Sequence, residues 1–304
     1  MNALTYTPDE VAQLFKISKH TVYELIKRGE LNAFKVGNKM RIEADEVTRY
    51  KKSTQANQTT NNQSIESPPI RLMGSHDFLI EQLTRFVDQH ENSLQIQPSY
   101  IGSFEGLMML YRGLADVCAL HMFDPNSKEY NVPFIKQFFV LEKMTVVRLA
   151  SREQGFIVAK GNPKGITNFK DLTKKEITYV NRQRGSGTRL LVDSFLYEQG
   201  IDPKRISGYE REEWTHLSTA TYIANGKADV AFGIRPAAEQ LGLDFISIVE
   251  EDFDIVFRWT KENETALTTL LELVCSKEFS DSISVLPGYH TSKLGDIIFD
   301  TRGR

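Results

Sequence analysis

Three short stretches of this chain share one design: a strand-like run ends, a Gly/Ser pair follows, and helical periodicity begins. They are Gly74-Ser75, Gly102-Ser103 and Gly185-Ser186-Gly187-Thr188. Glycine lets a backbone approach a ligand closely. A helix start presents unpaired N–H groups and about half a positive charge. Serine and threonine hydroxyls add further donors, so several such starts converging on one cleft hold an anion without a metal. His216-Leu217-Ser218-Thr219 opens another helical stretch, and His121 follows a strand ending at Leu120. Arg182, Arg184 and Arg189 surround the third turn, either assisting a phosphate-like ligand or standing solvated. The candidate ligand-binding set is therefore Ser75, Ser103, His121, Arg184, Gly185, Ser186, Gly187, Thr188, Ser218 and Thr219.

Several chemistries are disfavoured by the same residues. The third turn lacks the Gly-Lys-Thr ending of a nucleotide-hydrolysing loop, and Arg189 follows it instead. Ser75, His76 and Asp77 are triad residue types, but neighbours in sequence cannot adopt triad geometry. Cys118 and Cys275 sit in apolar runs with neither disulfide nor zinc spacing. No nucleophile elbow and no metal-ligand cluster is apparent. The expectation is a binding protein, not an enzyme, with no metal and no organic cofactor.

The elements that position these residues fall into two parts. Residues 53–69, STQANQTTNNQSIESPP, hold no aromatic and almost no apolar side chain, which reads as a flexible tether. Ahead of it, Thr7-Pro8-Asp9-Glu10 is a capping box with Pro at the first helical position. Val11, Leu14 and Phe15 give that helix an apolar face. Ser18 caps a second helix, in which Val22, Leu25 and Ile26 recur before Gly29. A hairpin over Phe34–Ile42 with a Gly37-Asn38 turn follows, then a short helix over about Ala44–Lys52. Residues 1–52 carry ten Lys/Arg against seven acids, a net +3 that leaves −6 for the rest of a 304-residue chain of net charge −3. A basic head on an acidic body suits a polyanionic partner of the head.

Beyond the tether, strands over Ile70–Met73, Leu94–Ile101, Asp116–Leu120, Ile177–Val180 and Asp229–Ile234 alternate with helices, an α/β pattern with parallel sheets. Residues 112–117 (RGLADV) and 225–230 (NGKADV) resemble each other, from independent helix-to-strand connections or from two similarly built lobes. The N-terminus has no signal-peptide pattern and no run is apolar enough to span a membrane, so a cytoplasmic location without membrane contact is expected.

These residues carry two resemblances. Tyr6–Ala12, Ser18–Tyr23 and Val36–Ile42 resemble the excisionase-type helix-turn-helix, a relative of the MerR winged-helix domains. Gly74–Asp77, Gly102-Ser103, Asn181–Arg189, Gly208–Glu212 and Ala228–Gly233 resemble the cytoplasmic periplasmic-binding-protein-like domain found fused to such heads and to molybdopterin-biosynthesis proteins. Together they imply a winged helix-turn-helix domain at 1–52, a linker at 53–69 and a type II periplasmic-binding-protein-like domain of two α/β lobes at 70–304. They further imply a one-component regulator that senses an oxyanion, molybdate or tungstate, with Ser75, Ser103, Ser186, Gly187 and Thr188 touching it. The arginines beside the third turn depart from the uncharged sites of molybdate-binding proteins.

The second helix is expected to enter the DNA major groove. Ser18, Lys19, His20, Thr21, Tyr23, Lys27 and Arg28 would contact DNA, with Lys35, Asn38, Lys39 and Arg41 of the hairpin reaching phosphates or the adjacent groove. The partners are then double-stranded DNA, a small anion and, from operator symmetry, a second copy as a homodimer. Two other functions fit less well: a protein of molybdenum-cofactor metabolism, and an excisionase-like architectural DNA-binding factor.

Overall fold

The computed structural model describes residues 5–15, 17–27, 31–36, 39–57, 68–91, 93–284 and 286–303, with residues 20, 24, 27, 35, 36, 39 and 51–57 described in backbone only. The chain divides into two compact units, Met1–Ile65 and Glu66–Arg304. The first holds β1 (Thr5–Tyr6), α1 (Pro8–Phe15), α2 (Lys19–Lys27), β2 (Phe34–Val36), β3 (Lys39–Glu43) and α3 (Ala44–Asn57).

Both expected caps form. Thr7 N donates to Glu10 Oε2 at 2.7 Å while Glu10 N donates to Thr7 Oγ1 at 3.2 Å, and Ser18 Oγ accepts from Thr21 N at 3.0 Å. Val11, Val22, Leu25, Leu31, Ile42 and Val47 make the core. Leu14 departs from the expected apolar face: it is 56% exposed, because Ala12 and Phe15 flank Val11 inward instead. β1 adds an unexpected third strand to the hairpin, pairing with β3. α3 runs to Asn57, five residues into the stretch read as tether. Ser53–Asn57 contains no helix breaker, and extending a formed helix costs little. Residues 58–67 lie outside the described residues.

The second unit contains β4 (Ile70–Gly74), α4 (Phe78–His90), β5 (Ile96–Tyr100), α5 (Ser103–Tyr111), β6 (Val117–Leu120), β7 (Phe123–Asp124), β8 (Glu129–Tyr130), α6 (Val132–Phe138) and β9 (Lys143–Val158). It continues with β10 (Tyr179–Arg182), α7 (Gly187–Glu198), β11 (Glu212–Glu213), α8 (His216–Ala224), β12 (Val230–Ile234) and α9 (Arg235–Glu239). It ends with β13 (Asp244–Trp259), α10 (Glu264–Val274), α11 (Lys277–Ile283), β14 (Tyr289–His290) and β15 (Ile297–Asp300).

The main sheet runs β11-β10-β12-β9-β13-β6-β4-β5. β4, β5 and β6 are parallel, as are β10, β11 and β12. The expected parallel pairing holds within each group, and antiparallel strands lie between them. There β9 and β13, 16 residues each, form an antiparallel ribbon whose apolar runs are broken by charges and lack the alternation that marks a strand in sequence. β13 joins the first group through Asp254–Phe257, and β9 joins the second through Gln154–Val158. Two α/β lobes therefore share one ribbon and meet near Arg152 and Glu251. β14 and β15 pair with β9 at Ser151–Arg152 and Thr145–Val147.

The sequence repeat is a repeat of structure. Asp116 Oδ2 accepts Arg71 N at 3.0 Å while Asp116 N donates to Arg71 O at 2.9 Å. Asp229 makes the same pair with Thr178, both at 2.8 Å. Each Asp latches the entry of one strand to its parallel neighbour, once per lobe. Removing the Asp229 carboxylate strands a partly buried N–H, so Asp229→Ala is expected to lose about 1–3 kcal/mol in urea unfolding, with Asp229→Asn retaining most of it. Equal midpoints for Asp229→Ala and the unsubstituted protein would show that the latch carries no stability.

Candidate functional site

Strand ends and helix starts of both lobes meet beside the ribbon. The first lobe supplies Ser75 and Asp77 between β4 and α4, Ser103 at the start of α5, and His121 just after β6. The second supplies Arg182 at the end of β10, Gly185–Thr188 leading into α7, and His216 at the start of α8. The ribbon contributes Arg152, Gln154 and Glu251. All these side chains are buried. The lobes touch through backbone, Phe104 N donating to Gly185 O at 3.0 Å. Gly187 is required here, since a Cβ on it would lie 2.5 Å from His121 O and 2.7 Å from the imidazole.

The side chains form one connected network. Arg152 donates through Nε to Glu251 Oε1 at 2.6 Å and through Nη1 to Asp77. Tyr289 of β14 donates its hydroxyl to Asp77 at 2.9 Å, and Asp77 also caps α4 through Leu79 N. Glu251 Oε2 accepts from His121 Nδ1 at 2.7 Å and from Gln154 Nε2. Because an ionised carboxylate only accepts, His121 carries its proton on Nδ1, and its Nε2 accepts from Ser75 Oγ at 3.0 Å.

Charge states follow from surroundings. Burial works to raise the pKa of Glu251, but His121 and Arg152 bring it down to about 2. Burial pushes His121 down and outweighs the pull of Glu251. Burial, then Arg182 and Arg152, push His216 well down, so it is neutral. Burial and Arg152 lower Arg182 to about 9, which leaves it charged at neutral pH.

This network is incomplete. Of seven buried side-chain atoms without a hydrogen-bond partner among the described residues, five are here: Arg152 Nη2, Arg182 Nη1, Gln154 Oε1 and both ring nitrogens of His216. Among the described residues the Arg182 guanidinium donates only to Gln183 Oε1 and to the carbonyls of Glu213 and Trp214, and it forms no ion pair. Buried polar groups are almost always satisfied. Their concentration at one junction, beside a guanidinium without an ion pair among the described residues, makes it the candidate binding site.

The structure gathers Ser75, Ser103, His121, Gly185, Ser186, Gly187 and Thr188 at this junction. It separates Arg184, whose side chain is 73% exposed and faces Glu210 at 3.3 Å, because the strand has ended at Arg182 and no longer directs it inward. Arg189 is taken by Asp193 and Glu212 and lies over Tyr209. Ser218 sits in a capping box with Thr215, and Thr219 donates to Thr215 O at 2.7 Å, so both hydroxyls serve α8 itself. Ser186 likewise caps α7, accepting from Arg189 N and donating to Gln183 O. Sequence reasoning placed His216 at a candidate helix start and Arg182 beside the third turn as either a contact or solvated, and it missed Asp77, Arg152, Gln154, Glu251 and Tyr289. Arg152 and Glu251 had a readable signal, charge inside an apolar strand-length run.

In the first unit, Ser18 and Thr21 form the N-terminus of α2, Tyr23 is 40% exposed, and Lys19 Nζ lies 2.7 Å from Asp9 Oδ2. Arg41 is half-buried on β3. His20, Lys27, Lys35 and Lys39 are described in backbone only, and Arg28 and Asn38 lie outside the described residues. Among the described residues no helix is long and apolar enough to cross a membrane, and no group of His, Cys, Asp and Glu is arranged to hold a metal ion.

A PBP superfamily domain model matches residues 84–274, and a helix-turn-helix domain model matches residues 5–55. An uncharacterized protein of Bacillus subtilis, YvgK, is 33% identical over 98% of this chain and 98% of its own length. Among solved structures, a Clostridium perfringens substrate-binding protein with bound phosphate is 17% identical, covers 74% of this chain and all of its own, and superposes with a TM-score of 0.56. A tungstate transporter structure from Geobacter sulfurreducens is 15% identical over 71% of this chain and 97% of its own, with a TM-score of 0.53.

The buried histidines make stability depend on pH. Their folded pKa values lie below the unfolded value, so the folded protein binds fewer protons, and the stability they confer is present above about pH 6.5 and lost as pH falls. Glu251 adds its own loss between about pH 4.5 and about 2. From pH 6.5 to 5 the unfolding free energy is expected to fall by up to about 1.4 kcal/mol per pH unit for each histidine. His216→Asn is expected to flatten that slope in urea titrations, and an unchanged slope would place His216 in a different charge state.

Proposed function

Since this chain belongs to the PBP superfamily and carries a helix-turn-helix domain ahead of its two-lobed domain, we propose that it is a transcription regulator whose DNA binding responds to a small anion held between the lobes. The carrying observation is the pair of unpartnered guanidinium donors, Arg152 Nη2 and Arg182 Nη1, buried beside His216 where the lobes meet. The ribbon supplies one donor and the second lobe the other, while Ser75 and Ser103 reach in from the first lobe. A ligand touching all of them stabilises one lobe arrangement over others, and that difference in affinity is the only source of coupling available to it.

The phosphate and tungstate of the two structural relatives support an oxyanion, and molybdate and tungstate remain within that class. The helix-turn-helix match supports DNA as the partner of the head, with α2 as the groove-reading helix. We assign a homodimer because one small head offers few contacts and symmetric operators pair two of them. The reading places the protein in the cytoplasm, where the DNA is.

The test combines calorimetry with DNA-binding anisotropy on the full chain, using phosphate, sulfate, molybdate and tungstate. At least one anion is expected to bind, and Arg182→Lys is expected to weaken it by about tenfold or more, because an ammonium does not reproduce the Nη1 donor. Saturating anion is expected to change DNA affinity by about 5–150-fold. Identical DNA affinity with and without a bound anion would remove the coupling. No binding by any of the four would remove the oxyanion.

A second reading has one observation behind it. Ser75, His121 and Glu251 stand in the order of a serine acyl-transfer relay. Under the binding reading a fluorophosphonate probe leaves Ser75 unmodified in intact-mass spectra, and stoichiometric labelling lost in Ser75→Ala would favour an enzyme.

A further inference from the structure

The unpartnered atoms of the junction are not all donors, and we infer that the ligand is an anion that also carries a hydroxyl or amine hydrogen, directed at Gln154 and Ser75. The class is a hydroxyl-bearing oxyanion or hydroxy acid, in contrast to fully deprotonated sulfate, molybdate or tungstate. The inference rests on the reading of the junction as an anion site and narrows what that site accepts.

Three local constraints carry it. Glu251 only accepts, so the Gln154 amide turns Nε2 toward it and leaves Oε1 on the opposite side, buried and without a partner. The same carboxylate fixes the proton of His121 on Nδ1, so His121 Nε2 takes the hydrogen of Ser75 and leaves that hydroxyl only lone pairs to offer. His216, with both nitrogens unpartnered and two guanidiniums nearby, is neutral and presents one N–H and one lone pair. The oxygens of Asp77, by contrast, are taken by Arg152, Tyr289 and Leu79 N.

Donors and acceptors are thus mixed. Arg152 Nη2, Arg182 Nη1 and one His216 nitrogen seek lone pairs, while Gln154 Oε1, Ser75 Oγ and the other His216 nitrogen seek hydrogens. An anion without hydrogens satisfies only the first group. Charge points the same way: Arg152, Arg182, Asp77 and Glu251 sum to zero although both carboxylates bond Arg152 and neither bonds Arg182, so a second negative charge on the ligand is uncompensated and partial protonation relieves it.

Calorimetry at pH 7 with matched probes tests this on the full chain: inorganic phosphate against sulfate, molybdate and tungstate, and lactate against propionate. Sites that hydrogen-bond a substrate hydroxyl discriminate strongly against the analogue lacking it, so in whichever set binds the hydroxyl-bearing probe is expected to win by about 100-fold or more. Gln154→Met is expected to bring that preference below about tenfold while some binding persists. Ser75→Ala is the second variant should Gln154→Met not fold. Sulfate or molybdate binding within about threefold of phosphate, or a preference unchanged in the variant that folds, would overturn the inference and leave the anion site standing. Failure of every probe would instead overturn the anion site on which the inference rests.

Discussion

A charged guanidinium taken out of water is costly unless counter-charges surround it, and Arg152, the one of the two buried guanidiniums at the lobe junction that has them, imposes that constraint on this domain. Glu251 on the facing strand, Asp77 at the start of α4, Tyr289 from the C-terminal segment and the ring of Phe253 all converge on it. Through Glu251 the constraint extends to His121 and Gln154, and through His121 to Ser75. Buried ion pairs seldom add stability over well-packed apolar residues of the same shape. Stability alone therefore gives little reason for this cluster. What it achieves is orientation: an acceptor-only carboxylate dictates which way an amide, an imidazole and a hydroxyl face.

The orientation matters because the junction is assembled from distant parts of the chain. Arg152 and Glu251 are 99 residues apart and Tyr289 and Asp77 are 212 apart. Each partner alone would be a buried charge or an unpaired hydroxyl, so ribbon, first lobe and C-terminal strands fold consistently or not at all. β14 places Tyr289 on Asp77 while pairing with the same stretch of β9 that bears Arg152. The tail is thereby part of the site's support.

Legibility in the sequence divides along the same line. The capping box at Thr7–Glu10, the Ser18 cap and the Gly-Ser turns were readable because each is decided by residues within a few positions of one another, whereas the Ala-Asp-Val repeat was visible without the long-range latches that its aspartates make. Fold class and lobe design followed from those local signals and from resemblance. The ribbon was not readable, since β9 is buried on both faces and has no alternation to show, and charges interrupt the apolar run of β13. Nor was the assignment of hydroxyls: Ser186, Ser218 and Thr219 look like ligand donors in sequence, yet each meets the backbone of its own helix first. The arginines around the third turn separate by a similar rule. Arg182 ends a strand and points inward, Arg189 one helical turn on finds carboxylates, and Arg184 between them faces Glu210.

The ribbon is irregular where the lobes meet. Its pairing slips between Ser247 and Val249 and again between Phe253 and Asp254, on either side of Glu251. Such bulges bend a strand and raise its local twist. The segment between them carries the carboxylate that orients His121, and His121 in turn packs against Gly187 of the second lobe. A Cβ at Gly187 would collide with His121, which shows how little slack the junction has. The donors of Arg182 and the acceptor of Gln154 belong to the second lobe and its end of the ribbon, while Ser75 and Ser103 belong to the first. Under the proposed function, a ligand that completes both sets would be held only where the lobes stand together, and the hydrogen bonds left open by the protein would make its binding differ between arrangements.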